Sequence, residues 1–308
     1  MTAPPRSRVP RLSIGLPVYN GERYLREALD SILAQTFEDF ELVISDNAST
    51  DGTAKICQEY ARRDKRIRYN RNEKNLGAAK NFSRVFELSR APYFKWAGDD
   101  DLIAPEFVAR CLEALEREPR ASLAYTRAKY IDGEGRVMEG VEQGLLRHVD
   151  WRRRPANRFR QLLDGFGADN GCSAPMFFHG VIRTDVLRRT RLIGGYFAFD
   201  CVLLSELILL GQFAEVPEFL FFIRLHPGSS SWPGRSWESI REFHDPKARK
   251  YISLPMLMLR QYLEYFAAVA RSPLGIRDKA SLFLYNTTPL FRRLRNKLRR
   301  KLAQVLGG

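Results

Sequence analysis

Three consecutive carboxylates, Asp99-Asp100-Asp101, follow the apolar run Tyr93-Phe94-Lys95-Trp96-Ala97 and one glycine, and Pro105 then opens what reads as a helix. Adjacent acids repel one another and resist burial without a partner, so a strand that runs into them must end at solvent or at a cation. Oxygen donors of this kind suit magnesium or manganese, with ligand phosphates completing the shell. The plainer reading is a solvated acidic loop before a helix N-terminus that favours negative charge.

For such a loop to act, strands must deliver it to a shared edge. Leu12 to Asn20 reads as a buried first strand broken into a loop at Pro17, and Glu22 to Ala34 spaces Tyr24, Leu25, Ala28, Leu29, Ile32 and Leu33 as a helix does. Phe40 to Ser45 is a second strand. It ends in Asp46-Asn47-Ala48-Ser49-Thr50-Asp51-Gly52-Thr53, dense in turn and N-cap residues. A helix over Thr53 to Arg63, a strand at Ile67 to Tyr69, a turn at Asn75-Leu76-Gly77 and a helix over Ala78 to Ser89 lead to the fourth strand, Tyr93 to Trp96. Alternating strands and helices with short links imply an α/β fold with a parallel sheet covered on both faces. Such sheets take ligands at the carboxyl ends of their strands, where the loops starting at Pro17, Asp46 and Asp99 all leave. No G-x-G-x-x-G or P-loop pattern is present, so those nucleotide-binding modes have no support.

Further on, the pattern predicts a helix over Pro105 to Arg117, a strand at Ser122 to Tyr125, a hairpin turn at Asp132 to Gly135 and a buried strand over Met176 to Ile182. A short helix from Thr184 to Leu192, an apolar helix from Phe199 to Gly211 with Asp200 at its start, and a strand from Phe219 to Leu225 follow. Val141 to Arg154 shows no period and reads as a mobile loop over a site. Trp96, Phe177-Phe178 and Phe219 to Phe222 read as core; Trp151 is either core or a ring that stacks on a sugar. Beyond Trp232, amphipathic helices around Leu254 to Ala270 and Ala280 to Leu306, broken at Pro273 and Gly275, form a helical extension. The expected division is a flexible 1–10, a main domain 11–231 with halves 11–104 and 105–231, and an extension 232–308.

The chain has 308 residues, 44% of them hydrophobic, enough for a sizeable core. Its net charge of +14 favours anionic partners, either phosphate-bearing ligands or an anionic membrane face. Arginines cluster at 152–154 and along Arg292 to Lys301 without any nucleic-acid-binding signature, so nucleic acid is not an expected partner. Cys57, Cys111, Cys172 and Cys201 show no paired spacing and read as thiols of a reducing compartment. Met1 to Pro10 holds neither a signal peptide nor a membrane span, which implies a cytoplasmic location. The C-terminal helices, with Leu298, Leu302, Val305 and Leu306 on one face, either press on anionic lipid as a peripheral contact or pack solvated on the domain.

The ordered motifs resemble the glycosyltransferase family 2 enzymes, of GT-A (Rossmann-like) fold, from about Leu12 to Ser231. They are Leu16 to Asn20, Leu33 to Leu42, Asp46 to Thr53, Asn75 to Gly77, Gly98 to Asp101, and the late Asp200 and His226. The resemblance implies a nucleoside-diphosphate-sugar donor of UDP or dTDP type, a manganese or magnesium ion, a saccharide or lipid-linked acceptor and inversion at the anomeric carbon. It places Pro17, Tyr19 and Glu22 in the nucleotide-lining first loop and Asp46 with Asn47 at the base. Lys80 falls near the diphosphate, Asp99 at the ribose or metal, and Asp100 at the metal. Asn47, Gly98 and Phe199 each stand where the family commonly has an acid.

Asp200 resembles the family's general base, and its plainer role is a helix N-cap. His226 is either a ligand for the metal or a phosphate oxygen, or a structural hydrogen-bonder at a strand end. Glu206, six residues after Asp200, points elsewhere on the helix. The leading function is an inverting, metal-dependent glycosyltransferase of polysaccharide or glycolipid assembly. The alternative is a non-catalytic nucleotide-sugar or polyanion-binding module, favoured by Gly98, Asn47 and Phe199.

Overall fold

The computed structural model of the protein describes residues 8–139, 150–165, 175–196, 198–229, 232 and 254–287. β1 (Leu12–Val18) and β2 (Phe40–Asp46) are buried at every position, as strands covered on both faces must be. Between them α1 (Leu25–Leu33) buries Leu25, Ala28, Leu29 and Ile32 on one stripe. α2 (Thr53–Arg63), β3 (Ile67–Arg71), α3 (Ala78–Glu87) and β4 (Tyr93–Trp96) complete the first half. Gly77 precedes α3 at φ 83°, a turn conformation that favours glycine.

β5 (Leu102–Ile103) and α4 (Phe107–Arg117) follow, then the long β6 (Ala121–Ile131), α5 (Pro155–Gly165), α6 (Pro175–Phe178), β7 (Val181–Arg183), α7 (Thr184–Leu187), α8 (Phe199–Leu210) and β8 (Gln212–Arg224). Among the described residues these strands form one sheet in the order β3-β2-β1-β4-β7-β6-β8-β5. Pairing is parallel from β3 through β4 and between β6 and β8; β7 runs antiparallel to both neighbours, and β5 runs antiparallel to β8.

Apolar side chains fill both faces. One core joins Phe94, Trp96, Phe177 and Phe213 to α8; the other joins β1 and β2 to α1 and α4. Each large apolar side chain fully buried there contributes about 1.5–3 kcal/mol relative to exposure. α8 is apolar all round and is buried along nearly its whole length. The Leu254–Arg271 helix packs on α8 through Tyr265, Ala268 and Val269, and Phe266 stacks on Phe283 of the 276–287 helical segment.

Three expectations change. Met176 to Ile182 is not one strand: Pro175–Phe178 is a helical turn and only Val181–Arg183 pairs, because a short apolar run carries no period to separate the two. α5 fills a stretch to which the sequence assigns no element, since Arg158 interrupts its Ala156, Phe159, Leu162 stripe. That arginine is buried and donates to the Ile208 carbonyl (3.2 Å). Trp151 belongs to the core, donating to the Tyr125 hydroxyl (3.0 Å) against Phe177 and Phe213, so it is not a sugar-stacking ring. Residues 141–149, Cys172 and the basic stretch beyond 287 lie outside the described residues.

Candidate active site

β1, β2 and β4 end at one edge of the sheet, and the first two loops beyond it are stitched together. The Asn20 N–H donates to Ser49 Oγ (3.0 Å), and Asn20 Oδ1 accepts the Thr50 N–H (2.8 Å). The Gly21 N–H donates to Thr53 Oγ1 (3.0 Å), the Glu22 N–H to Asp51 Oδ2 (3.1 Å) and the Gly52 N–H to Glu22 Oε2 (2.7 Å). Asn20 and Ala48 hold φ of 55° and 61°, left-handed values that cost a non-glycine residue on the order of 1 kcal/mol each. Such strain persists only where the surroundings over-determine it, as these cross-bonds do.

Asp46 is fully buried: Oδ1 accepts the Ser49 N–H (2.8 Å), Oδ2 accepts the Tyr69 hydroxyl (2.8 Å), and Arg71 lies 3.7 Å away. Asn47 Oδ1 accepts the Leu76 N–H (2.9 Å) and its amide donates to Asn75 (2.8 Å). Both side chains are therefore engaged in shaping the loops around the edge. Pro17 is buried in β1 opposite Ser45, whereas Tyr19, Glu22 and Lys80, the last on the first turn of α3, are exposed.

The acidic run folds against two glycines. A Cβ on Gly21 would lie 2.1 Å from Asp99 Oδ2, and one on Gly98 would lie 2.9 Å from Asp101 Oδ2 and 3.1 Å from Asp100 Oδ1. A side chain at 98 would thus press on the carboxyl ends of Asp100 and Asp101, which would have to turn aside. Asp100 Oδ2 lies 3.1 Å from His226 Nε2, and Asp101 Oδ1 accepts the Arg224 N–H (3.0 Å). Withdrawal from water, then repulsion from Asp100, pushes the Asp99 carboxyl up to about 8; the same two causes hold Asp101 well above the usual range. Among the described residues no lysine or arginine side chain forms an ion pair with any of the three; His226 and, at 4.0 Å, His179 approach their carboxylates, and the buried Lys95 acts on Asp101 through its charge alone.

Asp200 lies in the first turn of α8. The far end of that helix is held at the start of β6, where Ser122 Oγ donates to the Leu207 carbonyl (3.2 Å). Twelve residues at a rise of about 1.5 Å carry its start roughly 18 Å back towards the carboxyl edge. Phe199 meets Phe82 of α3 (5.6 Å between ring centroids) and Phe178 (6.1 Å), and the next residue, His179, approaches Asp101. The acids near 100 and the carboxylate at 200 therefore share one edge. Glu206 is engaged elsewhere, with the Arg191 N–H (2.8 Å) and Arg271.

Two buried cations escaped the sequence reading. Arg224 is fully buried and donates to the Asp100 carbonyl (2.9 Å), the Gly133 carbonyl (3.1 Å) and Glu27 (2.7 Å), with Tyr24 against its guanidinium. It ties β8, the acidic turn, the 132–135 hairpin and α1 into one body. Lys95 lies beneath, donating to the His179 carbonyl (2.6 Å); burial lowers it to about 8 and lowers His179 to about 3. A charged residue inside an otherwise apolar strand was the available signal in both cases.

Among the described residues no three His, Cys, Asp or Glu side chains are drawn into a ready metal cage. Asp99, Asp100 and His226 nevertheless offer hard oxygen and imidazole donors without a cation to balance the acids. The Ser229 hydroxyl, in the turn closed by its N–H on the His226 carbonyl (2.9 Å), is buried without a hydrogen-bond partner. These residues fit a divalent ion that shares its shell with a ligand.

A profile of glycosyl transferase family 2 matches residues 13–182, more than half of the chain. The chain belongs to glycosyl transferase family 2. Relatives include the Escherichia coli chondroitin synthase, 34% identical over 132 residues that cover 42% of this chain and 19% of that protein. An uncharacterised Haemophilus influenzae glycosyltransferase is 26% identical over 231 residues, covering 72% of this chain and 68% of the relative. The chain thus spans about a fifth of the synthase and about two thirds of the second protein. Among solved structures, Staphylococcus aureus TarS 1–349 in complex with UDP-GlcNAc superposes with a TM-score of 0.65 at 18% identity, covering 92% of this chain and 73% of that one. A Pyrobaculum calidifontis mannosyltransferase in complex with GDP-Man and Mn2+ gives 0.51 at 17% identity, covering 94% and 83%. The GT-A layering read from the family 2 motifs is the fold of this chain.

Proposed function

We propose that this family 2 chain is an inverting, metal-dependent glycosyltransferase that moves a sugar from a UDP- or dTDP-type nucleotide sugar to an acceptor hydroxyl, in polysaccharide or glycolipid assembly. The observation that carries the reading is the shared edge: the braced loops after β1 and β2, the unbalanced acids at 99–101 and Asp200 meet there. The nucleotide-sugar ligands of TarS and the mannosyltransferase, and the Mn2+ of the latter, support a donor and cation of the same kinds here.

In this reading residues 11–104 hold the nucleotide, 105–231 the acceptor, and 232–308 form the extension. Tyr19, Glu22 and Lys80 present the exposed contacts; Pro17, Asp46 and Asn47 fix the loop shapes that receive the base. Asp99, Asp100 and His226 would hold manganese or magnesium, whose chemistry is to neutralise charge gathering on the departing diphosphate. Asp200 takes the acceptor's proton as the new oxygen–carbon bond forms and the bond from the anomeric carbon to the diphosphate oxygen breaks, its electron pair leaving with the diphosphate. Arg224 and Lys95 keep the acidic turn and His179 in place. The buried, widely spaced cysteines Cys57, Cys111 and Cys201 support a reducing, cytoplasmic setting.

Asp200→Asn decides the matter. Donor turnover, measured with nucleotide sugars across an acceptor panel, falls at least a hundredfold in the variant while nucleotide affinity stays within a few-fold. Turnover unchanged by the substitution removes Asp200 from the chemistry. Nucleotide binding with no turnover by the wild type selects the binding-module reading instead.

A further inference from the structure

A second charged feature lies at the opposite edge of the sheet. There the start of β6, the end of β7, the start of β8 and α5 enclose a cavity of about 530 Å³ lined by seven arginines and one aspartate, Asp185. Arg183 on its wall pairs with Tyr93, the first residue of β4, and Asp99 lies six positions further along the chain, beyond the other end of that strand. That is about 20 Å, so the cavity is separate from the donor edge.

The arginines fall into three sets. Arg158 and Arg183 build the wall: Arg158 donates to the Ile208 and Arg153 carbonyls (3.2 and 3.0 Å), and Arg183 to the Ala121 carbonyl (2.9 Å). Neutral carbonyls satisfy their N–H groups and leave their charges uncompensated. Arg152 and Arg153 reach carboxylates only loosely, Glu118 at 4.0 Å and Asp150 at 3.6 Å. Arg120, Arg154 and Arg189, from three separate segments, are exposed and form no ion pair among the described residues. Guanidinium groups converging without matching acids repel one another, and their planar forks suit phosphate oxygens in bidentate fashion.

We propose that this cavity is a second anion site that takes a phosphate-bearing group, from an anionic lipid headgroup or from a soluble polyphosphate, and holds it away from the donor edge. Arg120, Arg154 and Arg189 supply the free forks, and Arg158 and Arg183 keep the wall positive. The site follows from the arginine constellation alone and stands whether or not the donor reading does.

The test uses the full chain in EDTA, so that cation-held phosphate at the donor edge does not contribute. Tripolyphosphate affinity and cosedimentation with phosphatidylglycerol vesicles, against phosphatidylcholine vesicles, are measured for wild type, for R120A/R154A/R189A and for the charge-matched control K55A/R62A/K65A on the opposite half. Each lost guanidinium–phosphate contact costs about tenfold, so the triple variant weakens at least a hundredfold while the control changes less than threefold. Loss confined to vesicles identifies the lipid source, and loss with tripolyphosphate the soluble one; either supports the site. Equal weakening in both variants, or no binding by the wild type to either probe, overturns it.

Discussion

Glu41 and Asp99 are both carboxylates withdrawn from water at ends of strands in the same sheet, yet their surroundings differ in sign. Glu41, near the amino end of β2, accepts from the Ser13 hydroxyl (2.7 Å), Arg68 (2.9 Å) and both the N–H (3.0 Å) and Nε (3.1 Å) of Arg90. Burial alone would raise its pKa, but those donors outweigh burial and hold the carboxyl below the usual range. Asp99, beyond the carboxyl end of β4, has Asp100 as its charged neighbour and is pushed up to about 8. A fold that needs a buried acid for its own architecture surrounds it with cations; one that leaves adjacent acids unbalanced at a ligand-facing edge has left room for a cation from solution.

The largest effect should come from Asp100→Asn. Turnover drops roughly 100- to 1,000-fold, about 3–4 kcal/mol of transition-state stabilisation, while the melting temperature of the metal-free protein holds or rises because a repulsion is gone. Kinetics alongside calorimetry read both, and a marked loss of stability would make Asp100 an architectural acid like Glu41. Glu41→Gln should do the reverse. It strands Arg68 and Arg90 and lowers stability by about 3 kcal/mol in urea unfolding, while turnover per folded molecule stays within twofold. Gly21→Ala tests the donor edge from its other side: the added methyl takes the place of an Asp99 oxygen, and turnover falls on the order of tenfold with a stability loss of about 1–2 kcal/mol.

A smaller effect, and the clearest in sign, is on pH. Asp99 has a raised folded pKa, so its contribution to the stability of the metal-free protein is fully present below about pH 4 and is lost as pH rises through about 8. Glu41 has a lowered one, so its contribution is present above its ordinary value of 4.5 and is lost as pH falls below it. Melting curves from pH 4 to 9 in EDTA should therefore decline on the alkaline side, and manganese should flatten that decline without altering the acid limb. An alkaline limb indifferent to manganese would separate Asp99 from cation binding.

How much of this was legible depended on the range of the interactions. β1 to β4 and the helices between them follow from local periodicity, and α2 spans Thr53–Arg63 as its spacing predicts. The loops after β1, β2 and β4 follow from where those strands end, so the acids and their edge are readable in the sequence. What failed was long-range. Nothing near Arg224 in sequence announces Glu27 or the 132–135 hairpin as partners, and nothing near Lys95 announces the His179 carbonyl. α5 was hidden because Arg158 buries its stem and finds a carbonyl on α8, which polarity alone scores as solvent-facing. What a side chain at 98 would meet, the carboxyl ends of Asp100 and Asp101, is likewise a matter of folding back that local pattern does not carry.

Nucleoside diphosphate binding by isothermal titration, with manganese and in EDTA, on wild type and Asp100→Asn, tests most directly whether the acids at 99–101 await a cation that arrives with phosphate. The account predicts binding by the wild type that is at least tenfold tighter with manganese, and no manganese effect in the variant. Equal affinity in all four conditions would contradict it.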